Sequence, residues 1–158
     1  MVFEVGCGVG NFIFPLMGKN PKVFAYACDF STRAVDFVRQ NPAATPDRCH
    51  AFVADITKDD LIKEVPEGSV DFATLIFVLS AIEPQHMEAA LANIFKTLKP
   101  GGHLFFRDYA LYDQAQLRFK PGHKLQENLY VRQDGTMAYY FSLGEHPLFP
   151  LFPWVIPC

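Results

Sequence analysis

Two rhythms of apolar and polar positions alternate along this chain. Short, nearly continuous apolar runs of strand length stand at Met1–Val5, Val23–Cys28, His50–Ala54, Val70–Leu79 and His103–Arg107. The run at Val70–Leu79 suits the middle of a parallel sheet, covered on both faces. Helical signals lie between the runs. Asn11–Met17 opens after a glycine turn, and Pro15 should keep that helix short or bend it. Ser31 is a good N-cap for Thr32–Gln40, which Asn41-Pro42 ends. Thr57-Lys-Asp-Asp60 has the form of a capping box leading into a short helix. The clearest helix is Gln85–Leu98. Its residues Met87, Ala90, Leu91, Ile94, Phe95 and Leu98 form one stripe, and Lys99-Pro-Gly-Gly102 stops it. Strands alternating with helices predict an α/β domain built on a doubly wound parallel sheet.

Beyond Tyr112 the pattern loosens. Leu129–Arg132 and Ala138–Phe141 can pair as a hairpin around Gln133-Asp-Gly-Thr136, because Asp-Gly favours a tight turn. After Ser142, Pro147, Pro150, Pro153 and Pro157 punctuate the apolar segment Leu148–Ile156. Prolines at that spacing exclude a helix and argue against a central strand. The tail is expected to stay out of the sheet, draping on its edge or promoting association.

Composition narrows the class. Half of the 158 residues are hydrophobic and 20% are charged, which fits one globular domain rather than a disordered chain. No uninterrupted apolar stretch reaches the roughly 18 residues of a membrane-spanning helix. The start lacks the basic flank of a signal peptide. None of the cysteines at 7, 28, 49 and 158 forms a Cys-x-x-Cys pair, so they read as reduced thiols of a cytoplasmic protein. Cys49-His50 is too short a cluster for a metal site, and no metal is expected. The net charge of −3 argues against indiscriminate nucleic-acid binding but hides an asymmetry. From Arg118 to Arg132 the cations Arg118, Lys120, Lys124 and Arg132 face one anion, Glu127, leaving +3 there and −6 elsewhere. Such a stretch on an acidic body suggests a local contact with phosphates.

The chemistry is concentrated at the strand ends. Val5-Gly-Cys-Gly-Val-Gly10 is a glycine turn between the first strand and helix, with Glu4 just before it. Asp29 follows at the end of the second strand and Asp55 at the end of the third. Strand, glycine turn, helix, strand, acid is the layout of a nucleoside-binding βαβ unit, in which the acid accepts from ribose hydroxyls. The turn fits a dinucleotide poorly, because Gly10 comes one position early. Glu4 would also repel a pyrophosphate, yet could help to hold a cationic amino-acid part. With Asp29 for ribose and Asp55 for an adenine amine, the pattern favours S-adenosylmethionine. A nicotinamide oxidoreductase is the disfavoured rival, and on the glycine motif alone a small-molecule methyltransferase stays open.

The strings Tyr26-Ala-Cys-Asp-Phe-Ser31, Leu75-Ile-Phe-Val-Leu-Ser-Ala81 and Leu98-Lys-Pro-Gly101 accompany the glycine motif. More specific are Phe106-Arg-Asp-Tyr-Ala-Leu-Tyr-Asp113, Gln116-Leu-Arg-Phe119 and Asn128-Leu-Tyr-Val-Arg-Gln-Asp-Gly-Thr136. Together they resemble the eukaryotic methyltransferase-like enzymes that make N3-methylcytidine in tRNA. The resemblance implies a Rossmann-like class I methyltransferase, a three-layer α/β sandwich with a mostly parallel sheet. It implies S-adenosylmethionine as cofactor, contacted by Gly6, Asp29, Asp55 and Ile76, Ile76 through its backbone; Gly8 and Gly10 of the glycine turn are expected to join that site. It also implies tRNA as partner, with room for a helper such as an aminoacyl-tRNA synthetase. A carboxylate accepting from the exocyclic amine of cytosine would raise electron density at N3. The fourth strand is apolar at its end, so Asp108 is the candidate, with Arg107 to orient it or meet a phosphate and Tyr109 or Tyr112 to stack on the base.

The resemblance covers residues 1–141. A methyltransferase domain over 1–142 is therefore expected to lack the family's N-terminal segment and final strands, with 143–158 a divergent, apolar, proline-rich tail. The sheet would be incomplete, and the fifth strand would show a bare edge. A non-catalytic isoform that binds cofactor or a partner is the alternative this favours.

Overall fold

The computed structural model describes residues 1–142 and the backbone of a strand at 155–157. The elements run β1 (Val2–Val5), α1 (Ile13–Lys19), β2 (Ala25–Asp29), α2 (Thr32–Gln40) and β3 (Cys49–Val53). They continue with β4 (Val70–Ile76), α3 (Pro84–Phe95), β5 (Leu98–Arg107) and α4 (Gln114–Leu117). Three short strands follow, β6 (Lys124–Gln126), β7 (Leu129–Val131) and β8 (Met137–Tyr139), and then β9 (Val155–Pro157). The main sheet has the order β3-β2-β1-β4-β5-β9, with every pair parallel. The chain steps outward from β1 to β3 and then returns to β4. The carboxyl ends of β1 and β4 thus flank the reversal point, where ligands of such sheets bind.

Side-chain alternation along the strands builds two cores. Phe3, Val5, Ala73, Leu75, Leu104 and Phe106 face α3, which buries Met87, Ala90, Leu91 and Ile94 against them. On the other face Ala25, Ala27 and Ala51 leave room for Ile13 and Met17 of α1 and for Val35 and Val38 of α2. The sheet is therefore a layer between helices, a three-layer α/β sandwich. Ser31 caps α2, its hydroxyl accepting from the Ala34 amide at 3.3 Å. Pro15 falls in the first turn of α1, where its missing N–H would have had no partner inside the helix.

Several boundaries differ from the sequence reading, each for a local reason. The stripe of α3 holds, but the helix ends at Phe95 instead of Leu98. The Thr97 carbonyl accepts from the amides of Ser69 and Val70, which draws the chain into the sheet three residues early. The glycines that were expected to stop the helix lie inside β5. At Gly102 a Cβ would stand 3.0–3.2 Å from the carbonyl oxygens of Lys99, Val70 and Asp71, at the irregularity in the β4–β5 register. Asp55, and not Thr57, caps the following turn. It accepts from the Thr57 amide at 3.0 Å while its own amide donates to Asp59 at 2.7 Å, and only a 3-10 turn at Leu61–Lys63 follows. β4 stops at Ile76 because Phe77 takes a left-handed φ of 56°, and Phe72 on that strand is 43% exposed rather than covered.

The hairpin forms as read, with Tyr130 opposite Ala138 and the Arg132 amide donating to Thr136 across the turn. The tail departs from expectation. Val155–Pro157 joins the sheet beside β5, opposite Leu104–Phe106, so the edge of β5 is not bare there. Pro157 is tolerated because β9 is the outermost strand of the order and needs donors on one side only. The rest of the tail lies outside the described residues.

Candidate methyltransferase site

The turn after β1 is held from below. The Cys7 amide donates to the Cys28 carbonyl at 2.9 Å and the Gly8 amide to Asp29 Oδ2 at 2.9 Å, which ties the loop to the end of β2. Gly6 has φ 68°, and a Cβ there would stand 2.2 Å from Val78 Cγ2. Gly6 and Val78 both line a cleft of about 480 Å³ at the carboxyl ends of β1, β2 and β4. Its far wall holds Ala54, Asp55, Ile56 and Thr57, and its rim Glu83 and His86. Met137 reaches it from β8.

Asp29 accepts one amide on each oxygen, Gly8 on Oδ2 and Ser31 on Oδ1 at 2.9 Å. An ionised carboxylate offers about four acceptor sites, so two remain for hydroxyls in the cleft. The Thr57 hydroxyl, donating at 2.6 Å, is the main influence holding the Asp55 carboxyl below its usual range, and Lys58 Nζ lies 3.1 Å from it. Glu4 is buried beneath the loop and accepts from the Ile13 amide at 3.1 Å, at the start of α1. Burial pushes its carboxyl up to about 8, and the charge of Asp29 adds to the rise.

Among the expected cofactor residues, Gly6, Asp29 and Asp55 line the cleft, whereas Glu4, Gly8, Gly10 and Ile76 do not. The neighbours of Ile76 take its place: Phe77 and Val78 form the wall beyond β4. Phe30 and Phe77, 79% and 45% exposed, are aromatic wall residues that the sequence reading missed. Their signal was position, immediately after the carboxyl ends of β2 and β4, on the edge of the sheet where the cleft opens.

A second group adjoins this wall. Asp108 accepts from the Ser80 amide and from the Tyr109 amide, both at 2.9 Å. Burial raises its carboxyl above the usual range, opposed by Ser80, the Tyr109 amide and the charge of Arg132. The Ser80 hydroxyl is buried beside it without a hydrogen bond of ordinary geometry. Tyr109 packs on Phe77, ring centroids 4.9 Å apart, and the Arg107 guanidinium lies 5.6 Å from the Phe77 centroid. Among the described residues Arg107 forms no ion pair with Asp108, so it does not orient that carboxylate directly. Tyr109 thus packs directly on Phe77 of the 480 Å³ cleft wall, with Asp108 its neighbour in sequence.

This geometry has a counterpart among known proteins. Residues 3–104 match the family described as a methyltransferase domain, well over half of the chain. The chain belongs to that family. It is 57% identical over 141 residues to the tRNA N(3)-cytidine methyltransferase METTL6 of Homo sapiens, covering 89% of this chain and 50% of that protein. It is 51% identical over 151 residues to METTL2 of Danio rerio, covering 94% of this chain and 43% of that one. The chain thus spans about half the length of the curated relatives it matches. A solved SAM-dependent methyltransferase of Methanosarcina mazei superposes with TM-score 0.76 at 19% identity, over 96% of this chain and 76% of that one. CalH, solved with SAH, superposes with TM-score 0.58 at 23% identity, over 72% of this chain and 33% of its own. Both share the fold of this methyltransferase domain.

The basic residues of the domain divide. Arg118, Lys120 and Arg132 line a second cleft of about 490 Å³ with Phe119 and His123, while Lys124 lies outside it on β6. Phe119 stacks on Tyr130 at 4.8 Å, so this cleft has an aromatic floor. Among the described residues, no cluster of three or more His, Cys, Asp or Glu could hold a metal ion, and no helix is long and apolar enough to cross a membrane.

Proposed function

We propose that this domain methylates N3 of cytidine in tRNA, at an anticodon-loop base, with S-adenosylmethionine as the methyl donor. The observation that carries the reading is the identity above 50% with two tRNA N(3)-cytidine methyltransferases over most of the chain. The residues fit the cofactor. Asp29 keeps free acceptor sites for ribose hydroxyls, Asp55 lines the cleft for the adenine end, and the bare backbone of Gly6 lets Val78 pack against the turn as part of the cleft wall.

When bound, the cofactor supplies an electrophilic methyl group whose bond to sulfur breaks, its electron pair staying on sulfur, as N3 bonds to carbon. The protein's part is alignment and electrostatics, after the base has left its stack. Asp108 is assigned to accept from the exocyclic amine of cytosine, which favours attack at N3 and offsets the positive charge of the methylated base. Tyr109 and Phe77 offer aromatic faces for a flipped base, and Arg107 beside them suits a flanking phosphate. The cleft holding Arg118 and Lys120 is assigned to the tRNA backbone. Free thiols at Cys7, Cys28 and Cys49 agree with a reducing compartment such as the cytoplasm.

The test is methyl transfer from labelled S-adenosylmethionine to unmodified tRNA, with the product nucleoside identified by mass spectrometry. N3-methylcytidine is the expected product. Cofactor binding without transfer would leave a binding domain only, and transfer to another atom or only to small molecules would refute the substrate assignment.

A further inference from the structure

Arg132 is the charge that the sequence reading placed on the RNA surface, and its half-buried guanidinium also makes specific contacts within the protein. Nη1 donates to the Met137 carbonyl at 2.6 Å and to the Thr136 hydroxyl at 3.2 Å. The guanidinium carbon lies 5.4 Å over the Tyr109 ring. Met137 lines the cofactor cleft, and Tyr109 packs on Phe77, which also lines it. The same hairpin is anchored to the end of β5, because the Phe141 amide donates to the Tyr109 carbonyl at 2.9 Å. One side chain therefore touches the hairpin residue that walls the donor cleft and the aromatic ring next to Asp108.

We propose that Arg132 is a positioning residue for methyl transfer, one that locks Tyr109 and Asp108 of the acceptor side to the Met137 wall of the donor side. The inference rests on the function proposed above. Methyl transfer depends on the alignment of nucleophile, carbon and leaving sulfur, so a brace between the walls that hold acceptor and donor acts on the chemical step more than on binding. Arginine suits the place because its planar fork can donate in plane while its face lies on an aromatic ring.

The electrostatics point the same way. The groups facing Asp108 are Ser80 from the turn after β4, Tyr109 on its own segment, and Arg132 from the hairpin. Of these Arg132 alone carries a positive charge, and it opposes the burial that would protonate the carboxylate. Asp134, beside Arg132 in the hairpin turn, feels the same cation. An ionised Asp108 is the stronger acceptor for the amine, and only that form offsets the charge of the methylated base.

The experiment uses the 158-residue chain with Arg132→Ala and Arg132→Lys, and Lys120→Ala as a surface control. For Arg132→Ala the expectation is a fall in kcat of at least tenfold, with the KM for tRNA within about twofold. The acidic limb of the pH–rate profile should move to higher pH. Arg132→Lys keeps the charge but not the fork, so it should restore the pH limb and only part of kcat. The slope of log affinity for tRNA against log salt should stay unchanged in Arg132→Ala and become shallower in Lys120→Ala. Carbon-detected NMR titration of Asp108 gives a readout free of activity. Its titration should move up in the Ala variant and return in the Lys variant. An Asp108 titration that ignores Arg132, or an Ala variant that loses salt slope and KM while keeping kcat, would overturn the proposal and return Arg132 to the RNA surface. No transfer by the unsubstituted chain would sink the proposed activity instead, and the carboxyl titration would then decide alone whether Arg132 governs Asp108.

Discussion

Replacing Gly6 by alanine tests the cleft at its tightest point, and Gly8, two residues on, provides the control. Both have positive φ, 68° and 52°, so either alanine meets the left-handed strain of about 1–2 kcal/mol. Restricting the unfolded chain returns about 0.4–1 kcal/mol at either site. The surroundings differ. A Cβ at Gly8 has no heavy atom within 4 Å, whereas at Gly6 it would lie 2.2 Å from one methyl of Val78 and 3.1 Å from the other. Valine is β-branched and stiff at χ1, so it cannot swing aside without moving the backbone after β4. Overpacking of this kind costs about 1–3 kcal/mol. Gly8→Ala should therefore cost about 0–1.6 kcal/mol, and Gly6→Ala about 1–3 kcal/mol more than that. Urea unfolding gives both values, and calorimetry with S-adenosylhomocysteine shows whether the displaced Val78 narrows the cleft. Val78→Ala in the Gly6→Ala background should recover most of the difference, a coupling of about 1–3 kcal/mol in a double-mutant cycle. Equal costs at the two glycines, or strict additivity with Val78→Ala, would refute the steric argument.

Asp29→Ala removes the acceptor of the Gly8 and Ser31 amides and of the ligand hydroxyls, so S-adenosylhomocysteine should bind about 1–3 kcal/mol more weakly by calorimetry. Unchanged affinity would take Asp29 out of the site. Glu4 keeps its proton in the folded state up to about pH 8, while the unfolded chain releases it near pH 4.5. The folded state thus binds more protons between these values, and stability should fall as pH rises through that window. Glu4→Gln keeps an acceptor for the Ile13 amide and should flatten the fall, which urea midpoints at pH 5, 6, 7 and 8 would reveal; parallel profiles for the two proteins would contradict it. Replacing Lys120 and Lys124 together by alanine should make log affinity for tRNA less steep against log salt, by about 0.7 per lost contact with single-stranded RNA. Steepness equal to the parent's would return both lysines to plain solvated surface.

Much of the fold was legible because it is written in local rules. The apolar runs at strand length, the Ser31 cap, the α3 stripe and the Asp-Gly turn each report nearby sequence, and each appears in the structure at or near its expected place. The placement of Asp29 and Asp55 on the cleft was legible for a related reason, since the carboxyl ends of parallel strands all open onto the same edge of the sheet. Boundaries set by a partner strand were not. The Thr97 carbonyl draws the chain into the sheet because of Ser69 and Val70, 28 and 27 residues earlier, and no local pattern carries that information. Nor could proline spacing in the tail tell a central strand from an edge strand, because that depends on what lies on the far side of β9.

The sequence by itself determined the α/β class, the glycine turn and which residue types bring acid and base to the strand ends. Only the tertiary structure decided where each charge points. It turned Glu4 inward to the start of α1, packed Phe77 of the cleft wall against Tyr109, and laid Arg132 over the Tyr109 ring. The physical reason is the same in all three cases. A side chain's partners are fixed by hydrogen bonds and ring contacts across elements far apart in sequence, and charge counted along the chain carries no direction.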